Sequence, residues 1–352
     1  MGAQPRRAAR LFSTPMRRLL LPIGLVVLLV AAAPALAQET PEVPTEPTES
    51  TEPVESAPVP KDGRMTLSFG NGLRRDGKAF FTRGQRVAVH GRARPFVAGQ
   101  YVRIDFRRKG KTVASKVRKL RRARGGRGKF VVRFSPGRKG PYVVRARHKA
   151  TPKQKRFSAR KSARTVDNTA GVGSRGIRVR MLQRGLKRLG YAGFRASGYY
   201  GPGTARGVLA FRKVNRLGRT GHANREVFRK VFERRGTFKL KYPRAGKHVE
   251  ADLSRQVLVL AKKGRARRIY HTSSGTPSTP TVLGSFRFYR QDPGTNSVGM
   301  VHSSYFIRGY AIHGYRSVPT HPASHGCLRV PIPSAWSIFS WIDIGDRIFV
   351  YR

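Results

Sequence analysis

Between about Arg64 and Val166, apolar residues fall on alternate positions: Val87 and Val89; Val102, Ile104 and Phe106; Phe130, Val132 and Phe134; Tyr142, Val144 and Ala146. Alternation turns one side of an extended chain toward a core and the other toward water, so each run predicts a half-buried strand. Gly91, Gly99, Gly110, Gly125-Gly126, Gly128 and Pro136-Gly137 punctuate the runs. Short strands separated in this way predict a β-sandwich of immunoglobulin type over residues 61–168. The period then changes. Val179, Leu182, Leu186 and Leu189 lie three, four and three apart, one face of a helix that Gly190 stops, which predicts a helical domain over residues 171–235. From about Lys239 to Arg352 strands return, at Val249–Leu253, Val257–Leu260, Arg268–Ser273, Phe286–Tyr289, Tyr305–His313 and Arg347–Tyr351. One helix is expected from Ser334 to Trp341, with Ser334 as its cap and Pro333 just before it. Trp336 and Trp341 are five apart, off any tight helical stripe, and both are expected in the core.

The first 60 residues do not fit this scheme. Arg6, Arg7, Arg10, Arg17 and Arg18 precede an apolar run from Leu19 to Ala33, and Ala35-Leu36-Ala37 supplies a small-x-small end. That order predicts a secretory signal peptide over residues 1–37. The alternative is an uncleaved membrane anchor, for which the run is short against the roughly 20 residues a span needs and is broken by Pro22 and Gly24. Either way the rest of the chain is expected outside the cytoplasm, at the cell wall or the outer face of the membrane. Residues 38–60 are mostly Pro, Thr, Ser and Glu, too poor in large apolar side chains to bury a core, and predict a disordered linker.

Charge then narrows the choice of partner. The chain carries 73 Lys and Arg against 17 Asp and Glu, a net charge of +56, and six of those acids sit in the linker. Such a balance calls for a polyanion. In an exported chain the expected partner is anionic cell-wall polymer rather than nucleic acid, with membrane involved only if the leader stays attached. The dense Lys and Arg run from Lys109 to Arg127 reads either as an anion-binding edge or as a solvated face that blocks aggregation, the second being favoured.

Exported domains that use cysteine structurally use it in pairs, and this chain has one, Cys327. It cannot close an internal disulfide, so it is read as a nucleophile, the alternative being a buried apolar-like cysteine. A free thiol has a pKa near 8.5 and wants an imidazole within hydrogen-bond reach. His313, fourteen positions earlier and at the end of a predicted strand, can supply one. Gly326 permits a tight turn before Cys327, so that N–H groups can face a developing oxyanion. His302, His313, His321, His325 and Cys327 also invite a metal reading, but the spacings match no zinc pattern and no carboxylate lies among them. No metal and no cofactor are expected.

Two stretches resemble known families. Val179-x-x-Leu182-Gln183-x-x-Leu186-x-x-Leu189-Gly190-Tyr191, with Gly198-Tyr199-Tyr200-Gly201-Pro202-x-Thr204 and Val208-x-x-Phe211, resembles the three-helix peptidoglycan-binding domain. It departs at Ser197, where that family usually has Asp, and at Arg212, where it has Gln. Ala311-Ile312-His313-Gly314 followed by Ser324-His325-Gly326-Cys327-Leu328-Arg329 resembles the L,D-transpeptidase catalytic domain of the YkuD type. Asp252-Leu253-x-x-Gln256, the Thr272–Pro280 turn with Gly284, and Gly309-Tyr310-Ala311-Ile312 extend the likeness over most of residues 239–352.

The alternation of the first segment and the two resemblances together imply a multidomain, mainly β protein: an N-terminal immunoglobulin-like sandwich, a small three-helix bundle and a C-terminal β-rich catalytic domain. The L,D-transpeptidase resemblance implies that Cys327 attacks a peptidoglycan stem-peptide carbonyl, that His313 takes its proton and that the Gly314 carbonyl orients the ring. Ser324, His325 and Gly326 would shape the site. Arg329 would meet a substrate carboxylate, or else form a structural ion pair. Tyr305 and Met300 would line the crevice under a lid hairpin between Tyr289 and Tyr305. The reaction implied is 3→3 cross-linking through a thioester; the alternatives are an L,D-carboxypeptidase of the same fold and a non-catalytic wall-binding protein.

Overall fold

The computed structural model describes residues 59–352. The leader and nearly all of the linker lie outside the described residues. The first ten strands are β1 (Arg64–Phe69), β2 (Leu73–Arg75), β3 (Lys78–Thr82), β4 (Val87–Arg94), β5 (Tyr101–Arg108), β6 (Lys111–Lys119), β7 (Arg121–Ala123), β8 (Arg127–Phe134), β9 (Gly140–His148) and β10 (Phe157–Val166). They form two sheets, ordered β1-β4-β8-β7 and β2-β3-β10-β9-β5-β6. The alternating residues Val87, Val89, Val102, Ile104, Phe106, Phe130 and Val132 meet in one buried cluster. Each such side chain, fully buried, contributes about 1.5–3 kcal/mol. The basic run supplies β6, whose side chains are mostly exposed and which lies at the edge of its sheet. Repelling charge on an edge strand discourages pairing with another chain.

Helices α1 (Ile177–Arg188), α2 (Pro202–Val214) and α3 (Arg225–Phe232) follow. Gly190 takes φ +97°, which ends α1 without strain. Pro202 opens α2, where a missing N–H costs nothing, and the Asn224 side chain caps α3 by accepting from the Val227 N–H at 3.1 Å. The helices share one core with residues from both sides: Leu73, Phe80 and Val166 of the first sheets, and Val257, Val259 and Ile269 of the sheet that follows.

The remaining elements are β11 (His248–Asp252), β12 (Val257–Lys262), β13 (Arg265–His271), β14 (Gly284–Arg287), β15 (Arg290–Thr295), β16 (Val301–Ile307), β17 (Tyr310–Tyr315), β18 (Leu328–Pro331), α4 (Ile332–Phe339) and β19 (Arg347–Tyr351). Their sheets are ordered β13-β12-β11-β19-β14 and β15-β16-β17-β18. Both faces of β12 are covered: Val257 and Val259 face the helices, while Leu258 and Leu260 join Ile312, Leu328 and Val330 in a second core. That is why this strand reads as an unbroken apolar run.

Three expectations need correction. The run Tyr305–His313 is two antiparallel strands, β16 and β17, because Arg308 at φ +45° and Gly309 make a turn between them. Helix α4 starts at Ile332 after Pro331, has no side-chain cap and ends at Phe339; Pro333 sits inside its first turn, where its lack of an N–H is harmless, and Ser334 is simply buried. Trp336 is 59% exposed rather than core, its ring stacked on Phe339 at 5.8 Å and edge-on to His302 at 5.1 Å. Trp341 does pack against the core.

Candidate active site

Strand pairing brings the motif residues together. β17 and β18 run parallel with Ile312 opposite Leu328 and His313 opposite Arg329. Ile312 and Leu328 point into the core, so alternation sends His313 and Arg329 to the opposite face. Cys327 immediately precedes β18, and its Sγ accepts a hydrogen bond from the Ala311 N–H at 3.5 Å.

His313 is buried, and its Nδ1 lies 3.0 Å from the Gly314 carbonyl oxygen. A carbonyl only accepts, so Nδ1 carries the proton in the neutral ring and the lone pair belongs to Nε2. Burial lowers the His313 pKa, the Gly314 bond pulls it back up in part, and the Arg329 charge lowers it further. A side chain at Gly314 would place Cβ 2.8 Å from that of Ala335, so glycine here lets α4 pack close behind the strand.

The half-buried Cys327 thiol points at the Gly309 carbonyl, 3.6 Å away. Burial raises its pKa, opposed by the Ala311 N–H and the Arg329 charge. The sulfur's hydrogen-bond partners among the described residues are thus two backbone groups, not the imidazole. Gly326 has φ +114°, and a Cβ there would lie 2.2 Å from Tyr310 Cε1. Ser324, buried, accepts from the Gly326 N–H at 3.1 Å and donates to the Cys327 carbonyl at 2.5 Å. Thr281 Oγ1 donates to the Gly326 carbonyl at 2.7 Å. Both carbonyls of the turn are tied back.

Arg329 donates from Nη1 to the Ala323 carbonyl at 2.9 Å, and its guanidinium lies 4.3 Å over the Tyr315 ring. Tyr315 also meets the His313 ring edge-on at 5.6 Å. Among the described residues Arg329 forms no ion pair, and its guanidinium is already engaged by Ala323 and Tyr315. His325 is exposed, as is His321, whose carbonyl accepts from Ser273 Oγ at 2.6 Å. His302 instead packs on Trp336, its Nδ1 accepting from the Gly294 N–H. Among the described residues no group of His, Cys, Asp and Glu gathers as a metal site.

β15 and β16 form an antiparallel hairpin where a lid was expected. Met300 stands at its tip, its N–H held by Asn296 Oδ1 at 2.9 Å, and Tyr305 is buried opposite Ala311 with the Arg290 guanidinium 4.3 Å over its ring. A hollow of about 730 Å³ lined by Arg107, Lys109, Arg145 and Arg160 lies in the first domain, away from Cys327. Sequence reading missed Tyr315 and Thr281, and met Tyr310 only as part of the approach to His313. For Tyr315 the signal was available, since it lies two residues after His313 on the same strand; Tyr310 and Thr281 act across long sequence separations.

The L,D-transpeptidase catalytic domain model of the YkuD family matches residues 246–350, and the peptidoglycan binding domain model matches residues 175–231. A solved L,D-transpeptidase fragment from Xylanimonas cellulosilytica is 35% identical, over 53% of this chain and 98% of that one, with a TM-score of 0.49. The chain belongs to the L,D-transpeptidase family. Among other solved L,D-transpeptidases, one from Stackebrandtia nassauensis is 20% identical over 53% of this chain and 96% of its own, with a TM-score of 0.34. L,D-transpeptidase 1 of Mycobacterium tuberculosis is 24% identical over 30% of this chain and 61% of its own, with a TM-score of 0.25. No curated protein matches. The two matched domains of this chain imply peptidoglycan as its partner.

Proposed function

We propose that the chain forms 3→3 peptidoglycan cross-links, with Cys327 as nucleophile and His313 as base. The observation that carries this reading is the His313 tautomer: the Gly314 carbonyl holds the Nδ1 proton, so Nε2 is a proton acceptor on the strand beside Cys327. The thiol proton passes to Nε2 as Sγ turns from Gly309 and bonds to the carbonyl of the third stem residue. The peptide bond to the terminal D-alanine breaks, the departing amine takes the proton, and a thioester remains. A side-chain amine of a second stem then attacks the thioester, forms the new amide and returns the proton to sulfur. Cleavage of the donor's own peptide bond drives the exchange, so no nucleotide is consumed.

Ser324 and Gly326 shape the turn whose N–H groups receive the oxyanion, and His325, exposed beside them, closes the outer side. Arg329 meets a donor carboxylate while stacked on Tyr315, and Tyr305 and Met300 bound the crevice under the β15–β16 hairpin. The three-helix domain holds the enzyme on the wall outside the cell after the leader is removed, aided by the attraction of a strongly basic chain to anionic wall polymers. With water as acceptor, the same thioester would make the enzyme a carboxypeptidase.

Incubating the full chain with purified tetrapeptide muropeptides tests this. Tripeptide-linked dimers are expected with the wild type and none with Cys327→Ala; tripeptide monomers alone would point to the carboxypeptidase, and unchanged substrate would refute the reading. Intact-mass measurement after exposure to a carbapenem should show a covalent adduct only when the thiol is present.

A further inference from the structure

Lys213, on α2, is 3% exposed, and its Nζ has three acceptors around it: the Gln256 carbonyl at 3.1 Å, the Thr272 carbonyl at 3.1 Å and His271 Nδ1 at 2.8 Å. All three belong to the catalytic domain, although the lysine does not. His271 Nε2 lies 2.8 Å from the Val318 carbonyl. The carbonyl can only accept, so Nε2 donates and Nδ1 receives the lysine proton; the two bonds fix one tautomer. Val318 lies in the connection from β17 to β18, the segment that leads from His313 to Cys327.

The other acceptors run to the same segment. Thr272 Oγ1 donates to the Arg329 carbonyl at 2.7 Å, and Ser273 exchanges backbone hydrogen bonds with Arg329. The Ser274 carbonyl accepts from the N–H groups of Ala323 and Ser324, and its hydroxyl is held by Gln256 Nε2 at 2.6 Å. A second residue from the helical domain joins in: Arg219 donates to the Thr320 carbonyl at 2.8 Å and to the Ser254 carbonyl at 3.2 Å.

No carboxylate balances this cluster. The charges acting on it are those of Arg206 and Arg219, and burial first, then Arg219, pushes the Lys213 pKa down to about 6. A lysine that merely filled a domain interface would be replaced by an apolar side chain with little loss or a gain in stability. Lys213 instead faces two backbone carbonyls, of Gln256 and Thr272, and a histidine whose other ring nitrogen reaches the catalytic loop at Val318.

We propose that Lys213 is a positioning residue for acyl transfer: through it and His271, the helical domain sets the 316–327 loop that carries Cys327. This rests on the reading of Cys327 as the nucleophile, and the test separates the two.

The full chain is compared with three variants. Lys213→Met keeps length and removes the donors. His271→Gln puts an amide nitrogen where Nε2 was, keeping a donor to Val318 but losing the acceptor for Lys213, and His271→Asn keeps an acceptor for Lys213 but is too short to reach Val318. Hydrogen exchange at the Ala323 and Ser324 amides should rise at least tenfold in all three variants, since each breaks one link from Lys213 to the loop. The transpeptidation kcat should fall about tenfold in all three with KM within twofold. A lower melting point with exchange and kcat unchanged below the transition would make Lys213 a purely structural residue and overturn the proposal. If Lys213→Met does not fold, the two histidine variants decide, and wild-type exchange and kcat in both overturn it. A wild type inert toward muropeptides would sink the functional reading alone, since the exchange arm needs no activity.

Discussion

Replacing Gly326 by Ala tests whether the turn before Cys327 is held as tightly as its contacts imply. The new Cβ would fall 2.2 Å from Cε1 and 2.8 Å from Cδ1 of Tyr310, on a residue whose φ is +114°. A side chain at such a φ costs about 1–2 kcal/mol, and overpacking a filled site costs about 1–3 kcal/mol. The single variant should therefore lose about 2–5 kcal/mol in urea unfolding. Only the second part depends on the Tyr310 ring. In a cycle with Tyr310→Ala, the double variant should be about 1–3 kcal/mol more stable than the two single losses predict, and the backbone part should persist. If the losses add to within about 0.5 kcal/mol, the ring does not confine this turn and the reasoning fails. A Gly326→Ala enzyme that acylates at the wild-type rate would refute the link from turn geometry to chemistry.

Other expectations follow from the same contacts. Because burial raises the Cys327 pKa and lowers that of His313, alkylation by iodoacetamide should climb with pH beyond about 8.5, the ordinary thiol range, without a plateau at lower pH; a plateau between about pH 5 and 7 would reveal a preformed ion pair instead. Ser324→Ala leaves the Gly326 N–H and the Cys327 carbonyl unpaired, at about 1–3 kcal/mol each, so calorimetry should show a loss of about 2–6 kcal/mol and a slower carbapenem reaction. Burial pushes buried Glu250 up, but bonds from His248, Tyr351 and the N–H groups of Lys241 and Tyr242 outweigh it and hold the carboxyl below its ordinary range. Its stabilisation is therefore present above about pH 4.3 and lost as pH falls through the lower folded value; Glu250→Gln should flatten that acid slope, and an unchanged slope would assign it to other groups.

Much of this was legible because one-sided burial writes itself into alternation. The four alternating runs of the first domain became β4, β5, β8 and β9, and the three-four-three spacing became α1. Where burial is two-sided or a turn is short, the pattern loses its information. Tyr305–His313 is apolar or aromatic almost throughout, and only Arg308-Gly309 betrays the reversal between β16 and β17. The helix of Ser334 was misplaced because a proline reads as a boundary, while in a first turn it costs nothing. At the site, Cys327, His313 and the glycines stood out by residue type and spacing. Tyr310, Thr281 and Lys213 did not, since each acts through a contact closed only by tertiary packing across 16, 45 or 58 positions of chain.

The core shared by the helices with Leu73 and Phe80 on one side and Val257, Val259 and Ile269 on the other has a practical outcome. A fragment cut near residue 240 would lay bare one greasy side of β12 and β13, a surface prone to sticking to its own kind. Expression of the catalytic portion by itself should give aggregates, whereas a piece starting at the first helix keeps that side dressed. Engineering that swaps the middle module must therefore supply matching apolar contacts to both neighbours.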